Sequence, residues 1–157
     1  MENFISQIQA LSMADAEMLA ELSQQLGYKT EVNNLFIRTN EILQSKNDSI
    51  FVATAEDKII GFINAFKTVR IETPVFIEIA ALVVDEKNRK QHIGENLIAA
   101  AVKWADGLGI HKIVVRCNVL RKETHRFYER LGFVEVKEQK VFEIVRGSKS
   151  EVRDLMT

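Results

Sequence analysis

This 157-residue chain has one cysteine and one proline. The lone Cys117 excludes an internal disulfide framework and any cysteine-rich zinc site. The lone Pro74 leaves no room for a proline-rich linker. Long apolar runs are missing as well. The most apolar stretch, residues 79–84, is six residues long, against the ~20 that a membrane-spanning helix needs. Charge of one sign is also lacking: 21 Lys and Arg stand against 22 Asp and Glu, for a net charge of −1. No basic run or stripe exists, which removes the electrostatic footprint of a nucleic-acid binder. The three histidines and Cys117 lack metal-ligand spacing, so no metal is expected. The chain opens Met-Glu-Asn with no basic or long apolar leader, and the expected compartment is the cytosol. What is present is an ordinary globular composition, 46% hydrophobic and 27% charged, long enough to bury a core unaided. Without repeats or linkers, one domain over residues 1–146 is expected, followed by a polar tail over 147–157.

Hydrophobic period divides the chain further. Residues 4–11 alternate and predict a strand. Ser12 or Asp15 can cap a helix whose apolar positions Met18, Leu19, Leu22 and Leu26 recur at helical spacing, and Gly27 stops it. A second helix is expected over 31–43. Residues 50–55 and 59–70 read as a hairpin across the polar turn Glu56-Asp57-Lys58. A third strand over 75–84 is apolar nearly throughout, as for a strand buried on both faces, with Glu78 its one charge. From Ile93 an amphipathic helix follows, with Leu97, Ile98, Ala101, Trp104, Ala105 and Leu108 on its apolar side. A strand over 112–118, a short helix over 122–131 ending at Gly132, and a strand pair over 133–137 and 140–145 complete the series. The order β-α-α-β-β-β-α-β-α-β-β implies an α/β (α+β) fold with a mixed sheet and helices on both faces.

One junction carries chemistry. The strand end Leu82-Val83-Val84 leads through a basic loop with Arg89, Lys90 and Gln91 into a helix that begins His92-Ile93-Gly94-Glu95. The first turn of such a helix offers unpaired N–H groups and the positive end of the dipole. With two cations beside it and Gly94 permitting close approach, the junction reads as a phosphate cradle. A solvated basic loop is the competing reading. The missing glycines exclude a Walker loop and a dinucleotide fingerprint.

Leu82-Val83-Val84 followed by Arg89-x-x-His92-x-Gly94 resembles motif A of the GNAT superfamily of acetyl-CoA-dependent N-acetyltransferases. Downstream, Asn118 and then His125-Arg126-Phe127-Tyr128-Glu129-Arg130-Leu131-Gly132-Phe133 resembles the family's second signature segment. The resemblance extends to about residue 146. It is closest to aminoglycoside 6′-N-acetyltransferase-like branches, on the Asn118…His125-x-Phe127-Tyr128 spacing and the trailing Lys140-Val141-Phe142. It implies a mostly antiparallel sheet of six to seven strands. It also implies acetyl-CoA as donor, a primary amine of a small molecule or peptide as acceptor, and no metal. The amides from Gln91 to Glu95 would hold the pyrophosphate, Val84 the pantetheine arm together with Asn118, and Leu82 the acetyl pocket. One departure is His92, which stands where the family has its first glycine. A homodimer through the C-terminal strands is compatible with the resemblance.

Direct transfer needs a neutral amine, a stabilised oxyanion and protonation of the leaving thiolate. Tyr128 is the general acid expected from the family match, against a plain core role beside Phe127. Glu78 is the base candidate, because burial in an apolar strand would shift its proton affinity toward usefulness, against a solvent-facing acid. It shares a side with Val84 if no bulge intervenes. His125 is the rival base, with a structural role as its alternative. His111 reads as a loop residue, Cys117 as a strand residue and Trp104 as core. Residues 15–45, including Glu31 and Glu41, would wall the acceptor, although a pI near 6.3 shows no acidic surplus for a polycation. Two other functions fit the same pattern, a non-catalytic acyl-CoA-binding module and a partner-binding protein on this fold.

Overall fold

The computed structural model describes residues 2–147, so nearly all of the expected tail lies outside the described residues. The chain forms two compact units, residues 1–116 and 117–157.

The first unit holds one five-stranded sheet in the order β1-β2-β3-β4-β5. Along the chain run β1 (Phe4–Gln7), α1 (Met13–Gln25), α2 (Val32–Gln44), β2 (Asp48–Ala55), β3 (Lys58–Thr68) and β4 (Phe76–Val84). A 3₁₀ turn (Glu86–Asn88), α3 (Ile93–Gly107) and β5 (Ile113–Val115) follow. The first four strands pair antiparallel and β4 pairs with β5 in parallel. The second unit holds α4 (Lys122–Arg130).

Local chemistry explains the helix starts. Ser12 Oγ accepts from the Asp15 amide at 3.0 Å and the Asp15 carboxylate accepts from the Ser12 amide at 3.1 Å. This capping box stabilises α1 by about 1 kcal/mol. Glu31 caps α2 by accepting from the Asn33 and Asn34 amides. At the β2–β3 turn, Glu56 (φ 52°) and Asp57 (φ 62°) are both left-handed, the geometry that a tight hairpin demands.

The sheet register assigns the two faces. Val52, Phe62 and Val83 lie across from one another and share a face with Asn64, Ala81, Phe66 and Glu78. On this face Ile50, Val52 and Val83 are buried in one cluster with Leu19 and Leu22 of α1 and Leu35 of α2. The other face carries Gly61, Ile63, Ala65, Ile77 and Ile79. It lies under α3, whose Ile93, Leu97, Ile98, Ala101 and Ala105 are buried. Leu108, expected in that stripe, is 47% exposed because it is the C-cap residue and lies past the last helical turn.

Gly61 sets the spacing of sheet and helix. A Cβ there would stand 3.0 Å from the Val83 carbonyl oxygen, 3.3 Å from Leu97 Cδ1 and 3.4 Å from Ile93 Cγ2. The carbonyl belongs to a neighbouring strand and cannot retreat freely. Gly61→Ala is therefore expected to lower stability by about 1–3 kcal/mol. Denaturant unfolding checks this, and an unchanged midpoint would mean that α3 rides loosely on the sheet.

Two expectations are corrected. The sheet has five strands, not six to seven: among the described residues no strand follows β5, and the pair over 133–137 and 140–145 does not form. Val134, Val136, Phe142 and Ile144 carry the alternation of strands, yet all four are exposed. The Glu138-Gln139 turn lacks the Asn-Gly or Gly chemistry of a tight hairpin, and an isolated two-stranded pair is marginal in water. The second correction concerns β4. Asn64 pairs with Ala81 but Ala65 pairs with Ile79, so Ala80 is an unpaired bulge residue. A bulge reverses side-chain parity. Glu78 therefore lies on the α1/α2 face, and Val84 on the opposite one.

Candidate active site

Hydrogen bonds tie down the first half of the β4–α3 junction. The Asp85 amide donates to the Ile60 carbonyl at 2.8 Å. The Asp85 carboxylate accepts from Gln25 Nε2, the Lys87 amide and Asn88 Nδ2, each at 3.3 Å, and Gln25 Oε1 accepts from the Glu86 amide at 3.1 Å. The loop is thus tied to the end of α1 before the chain reaches the basic residues. Arg89, Lys90, Gln91 and His92 are all exposed.

α3 then starts without a side-chain cap, unlike α1 and α2. Its first intrahelical donor outside the first turn is the Asn96 amide, bonded to the His92 carbonyl at 2.9 Å. The amides of Ile93, Gly94 and Glu95 precede it and are the orphan donors of a helix start. Lys90 (φ 70°) and His92 (φ 60°) are left-handed on either side of Gln91, and such alternation turns successive N–H groups toward one concavity. His92 holds a conformation suited to glycine, at a cost of about 1–2 kcal/mol. Its exposed ring lies with Nδ1 3.0 Å from Glu95 Oε2. The Ile93 side chain is buried in the core, so only its backbone can serve a ligand.

β4 offers a second feature. Its ladder with β5 covers only residues 77–79 against 113–115. From Ala80 to Val84 that edge of β4 has no strand beside it among the described residues. Leu82 and Val84 are half-buried there, whereas the Val83 side chain belongs to the α1/α2 core. A strand edge of this kind accepts an extended, amide-bearing chain as an added strand. Glu78 lies just before the strands part, and its Oε1 accepts from Arg116 Nε at 3.2 Å and lies 3.1 Å from Nη2 in an ion pair. Arg116 was missed in the sequence reading. Its signal was a single cation in Ile113-Val114-Val115-Arg116-Cys117, two positions past Val114, the partner of Glu78 across the ladder.

In the second unit the signature segment folds as a helix ending. The Phe133 amide donates to the Tyr128 carbonyl and the Gly132 amide to the Glu129 carbonyl, both at 3.0 Å, with Gly132 at φ 96°. This is the Schellman arrangement, and its usual apolar contact is here Tyr128 against Phe133, edge-on at 5.3 Å. Phe127 packs edge-on to Tyr128 at 5.2 Å. The Tyr128 side chain is buried. Its hydroxyl takes no hydrogen bond among the described residues and is not one of their buried unpaired polar atoms. Burial, reinforced by nearby Cys117 and opposed by Arg121, pushes the phenol up to about 12. Burial likewise raises the Cys117 thiol. Asn118 Oδ1 is engaged in a turn, accepting from the Leu120 amide at 2.9 Å. His125 Nε2 lies 2.8 Å from the Asn118 carbonyl oxygen, which gives this ring a structural contact.

Elsewhere, His111 is exposed beside Asp106, and half-buried Trp104 lines a cavity of about 330 Å³ with Ile8, Leu43, Asp48 and Ile50. No junction residue lines that cavity. Among the described residues no group of three His, Cys, Asp or Glu side chains could hold a metal ion.

The family model of the acetyltransferase (GNAT) family matches residues 16–133. The chain belongs to that family. Human N-acetyltransferase 8 is 21% identical over 99 residues, which is 60% of this chain and 42% of that protein, so the chain spans less than half the length of this curated relative. The structure of AAC(6')-Iy in complex with the bisubstrate analog CoA-S-monomethyl-acetylneamine is similar at a TM-score of 0.77 and 22% identity, covering 94% of this chain and 100% of that one. The aminoglycoside antibiotic 6′-N-acetyltransferase AAC(6')-Ih from Acinetobacter baumannii gives 0.79 at 15% identity, covering 93% and 100%. These likenesses show the GNAT fold, and enzymes of this family use acetyl-CoA as acyl donor. The departure at His92 is testable within that frame. His92→Gly suits φ 60° and removes the ring beside the first-turn amides. It is expected to tighten CoA about threefold, equivalent to about 0.6 kcal/mol. Equal affinity by calorimetry would show that the ring stands clear of the phosphates.

Proposed function

We propose that this GNAT family member is an N-acetyltransferase that moves an acetyl group directly from acetyl-CoA to a primary amine. The observation that carries the reading is the uncapped α3 start, one loop after a strand whose edge is open from Ala80 to Val84 among the described residues. A pyrophosphate suits the amides from Gln91 to Glu95, with Arg89 and Lys90 adding charge. A pantetheine arm suits the free edge at Val84, and Leu82 fits the role of acetyl-pocket wall. Asn118 is assigned to the arm by the family resemblance, and because its Oδ1 accepts from the Leu120 amide, the contact falls to Nδ2.

The chemistry needs no covalent enzyme intermediate. Glu78 takes the ammonium proton and passes it to solvent, the neutral nitrogen attacks the thioester carbon, the C–N bond forms, the C–S bond breaks, and the second proton lost by nitrogen goes to the departing sulfur, so that CoA leaves as the thiol. A backbone N–H near Val84 steadies the oxyanion. Tyr128, the general acid that the family resemblance implies, acts in this scheme as a hydrogen-bond donor to the leaving sulfur.

Calorimetric titration with CoA and acetyl-CoA tests the cradle. Micromolar binding is expected, and no binding at millimolar cofactor would overturn the enzyme reading. A panel of neamine, spermidine and a peptide α-amine, read by thiol release, then tests the acceptor class. Neamine enters because the bisubstrate analog bound in a similar structure carries it.

A further inference from the structure

We propose that Arg116 is a positioning residue for Glu78, clasping one carboxylate oxygen so that the other is left to take the acceptor's proton. The inference rests on the reading of Glu78 as the base. The two guanidinium contacts with Glu78 both end on Oε1, from Nε at 3.2 Å and from Nη2 at 3.1 Å. Oε2 takes no part in the clasp. The two donors converge on one oxygen and pin it, and with the Glu78 stem anchored in β4 this limits where Oε2 can turn. The place in the fold is equally specific. Glu78 lies opposite Val114 in the parallel ladder, and Arg116, two residues on, returns to the same face. The ladder ends at Ile79 and Val115. The pair therefore bridges β4 and β5 at the point where the strands part, beside the open edge assigned to the pantetheine.

The Glu78 side chain is 16% exposed and that of Arg116 46%. A partly exposed pair of this kind contributes little to folding, so a variant at Arg116 is expected to fold. Without the clasp, the carboxylate would sample rotamers in which Oε2 no longer meets the amine, and catalysis is sensitive to misplacement on this scale.

The experiment is a double-mutant cycle on the full chain. Wild type, Glu78→Gln, Arg116→Met, Arg116→Lys and the double variant that combines Glu78→Gln with Arg116→Met would be assayed by thiol release from acetyl-CoA. The acceptor would be the fastest amine of the panel above, or water where none reacts. Calorimetric CoA affinity and thermal melting would be followed in parallel. Arg116→Met is expected to lower kcat roughly tenfold with CoA affinity unchanged, Arg116→Lys to recover part of that loss, and added guanidinium ion to restore turnover to Arg116→Met. In the Glu78→Gln background the loss of Arg116 should cost nothing further, because a positioning residue has nothing left to position. Wild-type turnover in Glu78→Gln would overturn the base reading, and this inference with it. A loss in Glu78→Gln with none in Arg116→Met, or two losses that multiply in the double variant, would overturn the positioning role alone. If melting shows that Arg116→Met does not fold, Arg116→Lys and its own double variant with Glu78→Gln decide by the same criteria.

Discussion

Tyr128→Phe is expected to lower kcat about 100-fold, the size of one well-placed transition-state donor, while the affinity for acetyl-CoA stays near that of wild type. The ring packs edge-on between Phe127 and Phe133 and closes the α4 C-terminus. Removing one oxygen leaves that packing intact, so the loss would fall on turnover and not on folding. The raised phenol refines how the residue works. At about 12 it keeps its proton throughout the neutral range. Handing that proton fully to a thiolate of ordinary affinity, near 8.5, would be uphill by about 5 kcal/mol. In the proposed mechanism the oxygen therefore serves as a hydrogen-bond donor while charge builds on sulfur, and the alkaline limb of kcat below pH ~11 is expected to belong to another group. Unchanged kcat in the variant would remove Tyr128 from the chemistry.

The same shift predicts a folding signature. The unfolded chain gives up the phenol proton near pH 10, whereas the folded chain keeps it to about 12. Stability from this source is whole below pH ~10 and is lost as pH rises from there toward 12, about 2–3 kcal/mol in all. Tyr128→Phe lacks the titrating group, so its melting temperature should fall less steeply across that window than that of wild type. Parallel slopes would mean that the phenol is more hydrated than its burial implies.

Features set by nearest neighbours were legible in the amino acids. Ser12 with Asp15, the polar turn at Glu56-Asp57, Gly132 after α4 and the orphan donors of α3 each depend on a few adjacent residues, and each formed. The signature Phe127-Tyr128-Glu129-Arg130-Leu131-Gly132-Phe133 was legible as a family motif, and its physical content is a helix ending that seats Tyr128 against Phe133. What was illegible depends on partners distant in the chain. The bulge at Ala80 leaves no mark in Ile79-Ala80-Ala81, yet one unpaired residue moved Glu78 to the α1/α2 face. The alternation at Val134, Val136, Phe142 and Ile144 announces strands, but alternation does not supply a neighbour to pair with. Nothing in the amino acids around Arg116 marks it, and only the parallel register brings it to Glu78.

Glu78→Gln should depress turnover most at low pH, by roughly 100-fold, and least at high pH. A primary amine is protonated in neutral solution and must lose a proton before it can attack. Below its own titration range it depends on a carboxylate to take that proton, and glutamine cannot. As pH rises, hydroxide and solvent deliver a growing share of neutral amine and the variant gains on wild type. Glutamine has the same shape and keeps a carbonyl oxygen for Arg116 Nε and Nη2, so the local geometry survives. The pair is partly exposed, and its loss should change stability by about 1 kcal/mol or less. The decisive readout is therefore the ratio of variant to wild-type kcat plotted against pH, with acetyl-CoA saturating and melting temperatures matched. A ratio that climbs with pH identifies Glu78 as the proton acceptor. A low but flat ratio would assign it to holding the substrate, since a lost contact weakens every protonation state alike. A ratio of one would reduce Glu78 and Arg116 to a clasp between β4 and β5, and leave the proton to a water chain.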